Sequence, residues 1–407
     1  MTSKFLLATL TAGLLLGAAT SGALAEDKPK PPTISSAMRK PLTDVQTALG
    51  KKDYQAAQAG LAAAKQVPNP SPYETYLIDR FSMSIHLGLN DMDGADVDAE
   101  ATADLDPSVI PDNDKPAVYR AALQLASRAK HDDKALKYAK LYMALTPPPP
   151  AADQPMIAQA LYMGGDTADA MALAQKNIDA ATAAGQKPSQ ADLEVVMFSQ
   201  AKQKDEAGAE KTLETLVAAY NRPADWDQLM GVALTTKGMR DIDYIYMGRL
   251  MLLRGGQINQ PDANLVGSAA NSNRLALYGD AEQMQKFGGP APDPREAADK
   301  KSMPAQIAAG AKQNGQYNVK TAEAAYGYGM YSDAENMARA AKTKGGVQDP
   351  TEPDMVIGMA QAAQNKYADA AQTFGSINQS NPASARVVRL WGYFVKSKAN
   401  PTTAAAQ

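Results

Sequence analysis

Few residues in this chain are placed to do chemistry. Its 407 residues include two histidines, His86 and His131, 45 positions apart, and no cysteine. Zinc sites built on paired histidines or thiolates, and a cysteine nucleophile, therefore have no side chains to draw on. The Gly-x-Ser-x-Gly elbow, the Walker loop and the dinucleotide fingerprint are missing as well. The densest group of oxygen donors is Asp91-Met92-Asp93-Gly94-Ala95-Asp96-Val97-Asp98-Ala99-Glu100. A helix-loop-helix calcium loop needs acidic ligands ahead of a glycine and a bidentate glutamate six residues after it, which Asp91, Asp93, Gly94 and Glu100 supply. Leu89 stands at the first ligand position, where the ion requires a charged donor. The same residues also read as a helix cap followed by a helix. No catalytic residue, metal ligand or cofactor is assigned on this basis, and the chain is read as a non-enzyme.

The elements that must carry any function repeat. Alanines recur at Ala57, Ala95, Ala135, Ala170 and Ala209, then at Ala334 and Ala370, with spacings of 35 to 40 residues between neighbouring copies. Such periods belong to repeats of paired helices. Most of these alanines follow a turn rich in Gly, Asp and Asn: Lys52-Asp53-Tyr54, Asn90-Asp91-Met92, Gly165-Asp166-Thr167, Lys204-Asp205-Glu206, Gly329-Met330-Tyr331 and Asn365-Lys366-Tyr367. Gly and Asn accept the left-handed conformation that ends one helix, and Asp caps the next. Twelve residues before six of the alanines stand Met83, Leu123, Ala158, Met197, Ala322 and Gly358, and twelve after three of them stand Pro107, Pro147 and Pro382. Small or flexible residues let two antiparallel helices approach closely, and proline ends a helix.

In these residues the chain resembles the tetratricopeptide-repeat family, most closely over Gly329 to Ala341 and Asn365 to Pro382. The resemblance implies an all-α fold, a right-handed α-solenoid of about nine TPR-like helix-turn-helix repeats. Asn177 and Thr102 depart from the family pattern at places usually small and apolar. The interval from Ala209 to Ala334 is read as two degenerate units around Gly231, Gly238 and Gly279-Asp280. The family's outward-facing positions on the first helix of each unit, carried over, give Arg120, Gln124 and Arg128, then Gln159 and Tyr162, then Glu194, Phe198 and Lys202. Their mixture of charge, amide and aromatic ring suits an extended protein or peptide segment held in a concave groove.

Residues 1–25 predict a secretory signal peptide: Lys4, an apolar run from Phe5 to Ala19, and the small-x-small site Ala23-Leu24-Ala25. The expected product is periplasmic or secreted, with no stable membrane insertion after cleavage. With Lys4 gone, 40 of the 41 basic residues face 44 acidic ones, a balance that argues against nucleic acid as partner. The absence of cysteine leaves stability to burial between repeats. The chain divides into a flexible leader (26–34), an N-terminal array (35–254), a degenerate hinge region (255–302), C-terminal repeats with a capping helix (303–398) and a disordered tail (399–407). Pro147 to Pro150 read as a spacer. In the cap, Val387, Val388, Trp391 and Val395 are predicted to cover the last repeat, with Arg386, Arg389, Lys396 and Lys398 in water.

The functional expectation is an exported scaffold or adaptor that binds a protein partner in the envelope. An envelope-assembly or polysaccharide-export accessory factor is the nearest alternative. A small-ligand carrier is the alternative of another class, with the Met and Tyr residues of Tyr244 to Met251 as its pocket.

Overall fold

The structure is a computed structural model that describes residues 33–399. The predicted leader sequence, most of the flexible segment after it, and the tail from 400 lie outside the described residues. Among the described residues there are 20 α-helices, two short 3-10 turns and no strand. By contacts the chain divides into two compact units, one ending at Ser199 and the other beginning at Gln200. The all-α class is thus observed, with helices packed in consecutive pairs.

The first unit pairs α1 (Ser36–Gly50) with α2 (Tyr54–Lys65), α3 (Pro72–Gly88) with α4 (Met92–Ala103), α5 (Lys115–Ala129) with α6 (Asp132–Met143), and α7 (Gln154–Met163) with α8 (Thr167–Ala183). Helix α9 (Gln190–Lys202) begins in it. Each helix packs on the next in chain order from α1 to α8, and the first helices of neighbouring pairs also meet, α1 on α3 and α5 on α7. The fold is therefore built from short sequence separations, as stacked repeats require.

One local device makes the turn before each repeat alanine. Lys52, Asn90, Lys130, Gly165, Lys204, Gly329 and Asn365, each five residues before a repeat alanine, have φ between +58° and +92°. The N–H of the following residue then donates back across the turn, as in Asp53 to Ala48 O (2.9 Å), Asp91 to His86 O (2.8 Å), His131 to Ala126 O (2.9 Å) and Lys366 to Gln361 O (2.8 Å). This satisfies a carbonyl that the ending helix would otherwise leave open. Asp53, Asp91 and Asp205 go on to cap the next helix through their side chains. The alanine four residues on sits where the two helices touch, and six of the seven are no more than 1% exposed; Ala209 is half-buried.

The small residues twelve positions earlier have a visible reason at Gly358, where an added Cβ would meet the Phe374 ring at 2.8 Å. Lysine in the left-handed region is strained by about 1 kcal/mol, and Lys130 is exposed at such a position. Lys130→Gly is expected to stabilise the protein by about 0.5 to 1 kcal/mol, measured as a higher midpoint in chemical denaturation.

The second unit comprises α10 (Glu206–Tyr220), α11 (Pro223–Leu234), α12 (Asp241–Arg254), α13 (Gln260–Asn271), α14 (Tyr278–Gln285), α15 (Glu296–Ala309), α16 (Gly315–Gly327), α17 (Tyr331–Lys344), α18 (Glu352–Ala363), α19 (Tyr367–Ser376) and α20 (Pro382–Ala399). Residues 255–302, predicted as a hinge, hold α13, α14 and the start of α15 and lie inside this unit. Its last pairs, α16 with α17 and α18 with α19, repeat the device of the first unit. Its packing is otherwise less sequential, because α20 lies on α12 and α10 as well as on α19.

The capping prediction for α20 needs correction at one residue. Val387, Val388, Trp391 and Val395 are buried as expected, but Arg386 is too, at 5% exposure. Its Nη1 donates to Glu210 (2.8 Å) and Thr236 (2.9 Å), and its Nε lies 3.1 Å from Glu214. A long, charged side chain reads as solvated from the sequence because its partners stand 150 to 176 residues upstream.

Candidate functional site

The acidic run on α4 fastens helices together. Asp91 accepts the Gly94 N–H at 3.0 Å and so caps the helix. Asp98 faces His86 Nδ1 of α3 at 2.7 Å, and Asp96 faces His131 Nδ1 at the start of α6 at 2.9 Å. Glu100 accepts from Lys134 Nζ at 2.7 Å. The carboxylates thus point to opposite sides of one helix, each toward a cation or imidazole of a neighbour, instead of converging on one point. Among the described residues no group of three or more His, Asp or Glu side chains is arranged to hold a metal ion.

Charged ties also run between pairs. Arg80 Nη1 and Tyr76 Oη, both on α3, donate to Asp114 at 2.6 and 2.7 Å. One repeat on, Arg120 Nε donates to both oxygens of Asp153, at 3.0 and 2.9 Å, and Tyr142 Oη donates to the same carboxylate at 2.7 Å. Asp153 is 5% exposed and precedes α7, so Arg120 ties the third pair to the fourth. Of the predicted groove residues, Arg120 therefore has a structural task. Arg128 sits exposed in the last turn of α5, and Gln124 is half-buried in its middle.

The remaining predicted residues fall on α7 and α9. Gln159 is exposed, and Tyr162 is half-buried with its ring stacked on Phe198 at 6.2 Å between centroids. Phe198 is 45% exposed. Glu194, one turn earlier, accepts from Gln190 Nε2 at 3.0 Å. Lys202 lies past the Ser199 boundary, in the second unit. The structure thus joins Tyr162 and Phe198 in one aromatic patch on the first unit, with Gln159 and Glu194 one helical turn away on the same helices. Met163, 53% exposed beside Tyr162, is a further large apolar side chain that the sequence analysis did not name. Its signal was an apolar residue in the last turn before Gly164-Gly165.

Asp192 lies in the first turn of α9. It is 1% exposed and accepts from Asn177 Nδ2 at 3.0 Å, which accounts for the polar residue at a usually apolar place on α8. Burial pushes its carboxyl up to about 6, against the opposing pull of the Asn177 and Ser189 hydrogen bonds. A carboxyl whose folded pKa is raised contributes stability below its unfolded value of about 4, and that contribution is lost as the pH rises through the folded value. The contribution of Asp192 should therefore fall by about 2 kcal/mol between pH 4 and pH 7. Asp192→Asn is expected to remove this slope and to raise stability at neutral pH. Circular-dichroism melts across that range check it, and unchanged slopes would show the group ionises freely.

Most of the stretch expected to line a carrier pocket is buried. In α12, Ile245, Tyr246, Met247, Leu250 and Met251 are at most 3% exposed, and Arg249 is 2% exposed among them. Arg249 donates from Nε and Nη2 to Asp280 (2.8 Å each), from Nη1 to Glu323 Oε2 (2.5 Å) and from Nη2 to the Glu323 carbonyl (2.8 Å). Its guanidinium lies 4.4 Å from the centre of the Tyr326 ring, and Tyr246 Oη donates to Glu323 Oε1 at 2.6 Å. These bonds tie α12 to α14 and α16. An open groove of about 580 Å3 elsewhere in the unit is lined by Arg339, Lys342, Asp354, Thr373 and neighbours on α17, α18 and α19. Its cations are held, Arg339 by Glu335 and Lys342 by Asp354.

No helix among the described residues is long and apolar enough to cross a membrane. No known protein-family model matches the chain. No curated protein matches it at a significant level.

Proposed function

We propose that this protein is a non-catalytic scaffold or adaptor of the cell envelope, exported by its leader sequence, that binds a protein partner on the first helices of its repeats. In this reading the repeats form a right-handed, TPR-like solenoid and the partner lies in its concave groove. The observation that carries it is the stacked pair of half-buried Tyr162 and 45% exposed Phe198, with 53% exposed Met163 beside it. Aromatic side chains are enriched at the cores of protein interfaces. The packed residues of α12 leave Tyr244 to Met251 little room to line a ligand pocket.

The test is retention of one defined protein from an envelope extract by the immobilised chain. Tyr162→Ala with Phe198→Ala should weaken retention by at least tenfold, an energy of about 1.4 kcal/mol. Val97→Ala, at a 64% exposed side chain on α4, should leave it unchanged. Mass spectrometry of the denatured protein should find no small molecule. Equal loss in all variants, or a stoichiometric bound metabolite, would refute the scaffold reading.

A further inference from the structure

The four consecutive prolines between α6 and α7 are held in one shape. Each ring fixes φ near about −65°, and a residue that precedes a proline is kept extended, so Pro147 to Pro150 favour a polyproline II course. Pro150 has φ −62° and ψ 153°. The base of the segment is closed by the bond from Tyr142 Oη to Asp153 at 2.7 Å. Gln154 Nε2 donates to the Pro149 carbonyl, and the Asp153 N–H donates to the Pro150 carbonyl, both at 2.9 Å. The prolines are thus anchored at their far end to the start of α7.

A polyproline II helix has three residues per turn and therefore three edges. Pro149 is buried and forms the inner edge, while Pro147, Pro148 and Pro150 are exposed. Pro147 and Pro150, three apart, share one outer edge, and Pro148 stands on the other. Among the described residues no hydrogen bond reaches the Pro147 or Pro148 carbonyl oxygen. Proline has no N–H, so the outer edges offer apolar rings and acceptors alone. Whatever binds them has to bring flat apolar surfaces and hydrogen-bond donors together, which is the chemistry of a groove lined by Tyr and Trp.

We propose that Pro147 to Pro150 are more than a spacer: they form a preformed Pro-x-x-Pro ligand for a partner domain whose groove is lined by Tyr and Trp side chains, with their O–H and N–H groups turned to the free carbonyls. Because the shape is fixed before binding, little conformational entropy is lost on docking. The segment precedes α7, whereas Tyr162 lies in the last turn of that helix, so the proposal does not depend on the aromatic patch. Purified, fluorescently labelled WW domains of differing sequence preference, which carry such grooves, are titrated with the full chain and followed by anisotropy. At least one should bind, and a free polyproline peptide should displace it. Pro147→Ala with Pro150→Ala should weaken binding roughly tenfold or more, Pro148→Ala several-fold, and Phe198→Ala not at all. Circular-dichroism melts show whether the variants are folded; if the double variant melts early, Pro148→Ala alone decides. Binding by none of the domains would overturn the proposal, and so would binding indifferent to the proline substitutions. Loss on Phe198→Ala with the prolines intact would overturn it too and assign the contact to the aromatic patch, whereas retention of the envelope partner judges the scaffold reading separately.

Discussion

Arg249→Met is expected to destabilise the second unit by about 3 to 5 kcal/mol, the cost of leaving buried carboxylates without their cation. Asp280 is 4% exposed and Glu323 is 0%, so neither has water to fall back on. The hydroxyl of Tyr246 covers one oxygen of Glu323 but brings no charge. Methionine keeps much of the volume, so the loss measures the charge and not a cavity. Both tryptophans of the chain, Trp226 and Trp391, are buried in this unit. Urea unfolding followed by tryptophan fluorescence therefore reports on it directly. Combining Arg249→Met with Asp280→Asn and Glu323→Gln should recover most of the loss, because a neutral centre no longer demands the guanidinium. A single variant within about 1 kcal/mol of the parent would mean that water reaches the acids.

The triad also shows where sequence analysis reaches its limit. The helical turns were legible because each one is decided within a few residues: a left-handed residue, a cap, then an alanine at the contact. Even lysine at three of these turns does not hide the pattern, since Asp53, His131 and Asp205 follow with the same backbone hydrogen bond. The role of α12 was not legible by this route. Buried on nearly all sides, it has no apolar stripe to reveal which face packs, and Arg249 looks like a solvated residue until partners 31 and 74 positions away are brought beside it. For Arg120 too, the partner is out of reach of local reading. Its place on the helix is that of a groove residue, but Asp153, 33 positions on, claims it. Tyr162 stands eight residues before Ala170 and Phe198 eleven before Ala209, so both are named from the sequence, but their stacking is seen only in the structure.

Trp391→Ala should be nearly as damaging as loss of the arginine. The indole is fully buried, stacks on Phe374 at 5.5 Å, packs edge-on to Phe394 at 6.2 Å, and donates from Nε1 to the Tyr246 carbonyl at 3.1 Å. Removing it leaves a large cavity and takes a second donor from a carbonyl inside α12, for which about 3 to 5 kcal/mol is expected. Trp391→Phe keeps most of the packing and loses the donor, so about 1 to 3 kcal/mol is expected from it. The remaining Trp226 reports unfolding in both variants. Because α20 also carries Arg386 and Arg389 to Glu210 and Glu214 of α10, its loosening should expose those acids and weaken the start of the unit with its end. Fluorescence and circular dichroism should then shift together. If α20 instead frays alone, limited proteolysis would clip it while Trp226 stays in its native environment, and α20 would be a cover laid on a body that is stable without it.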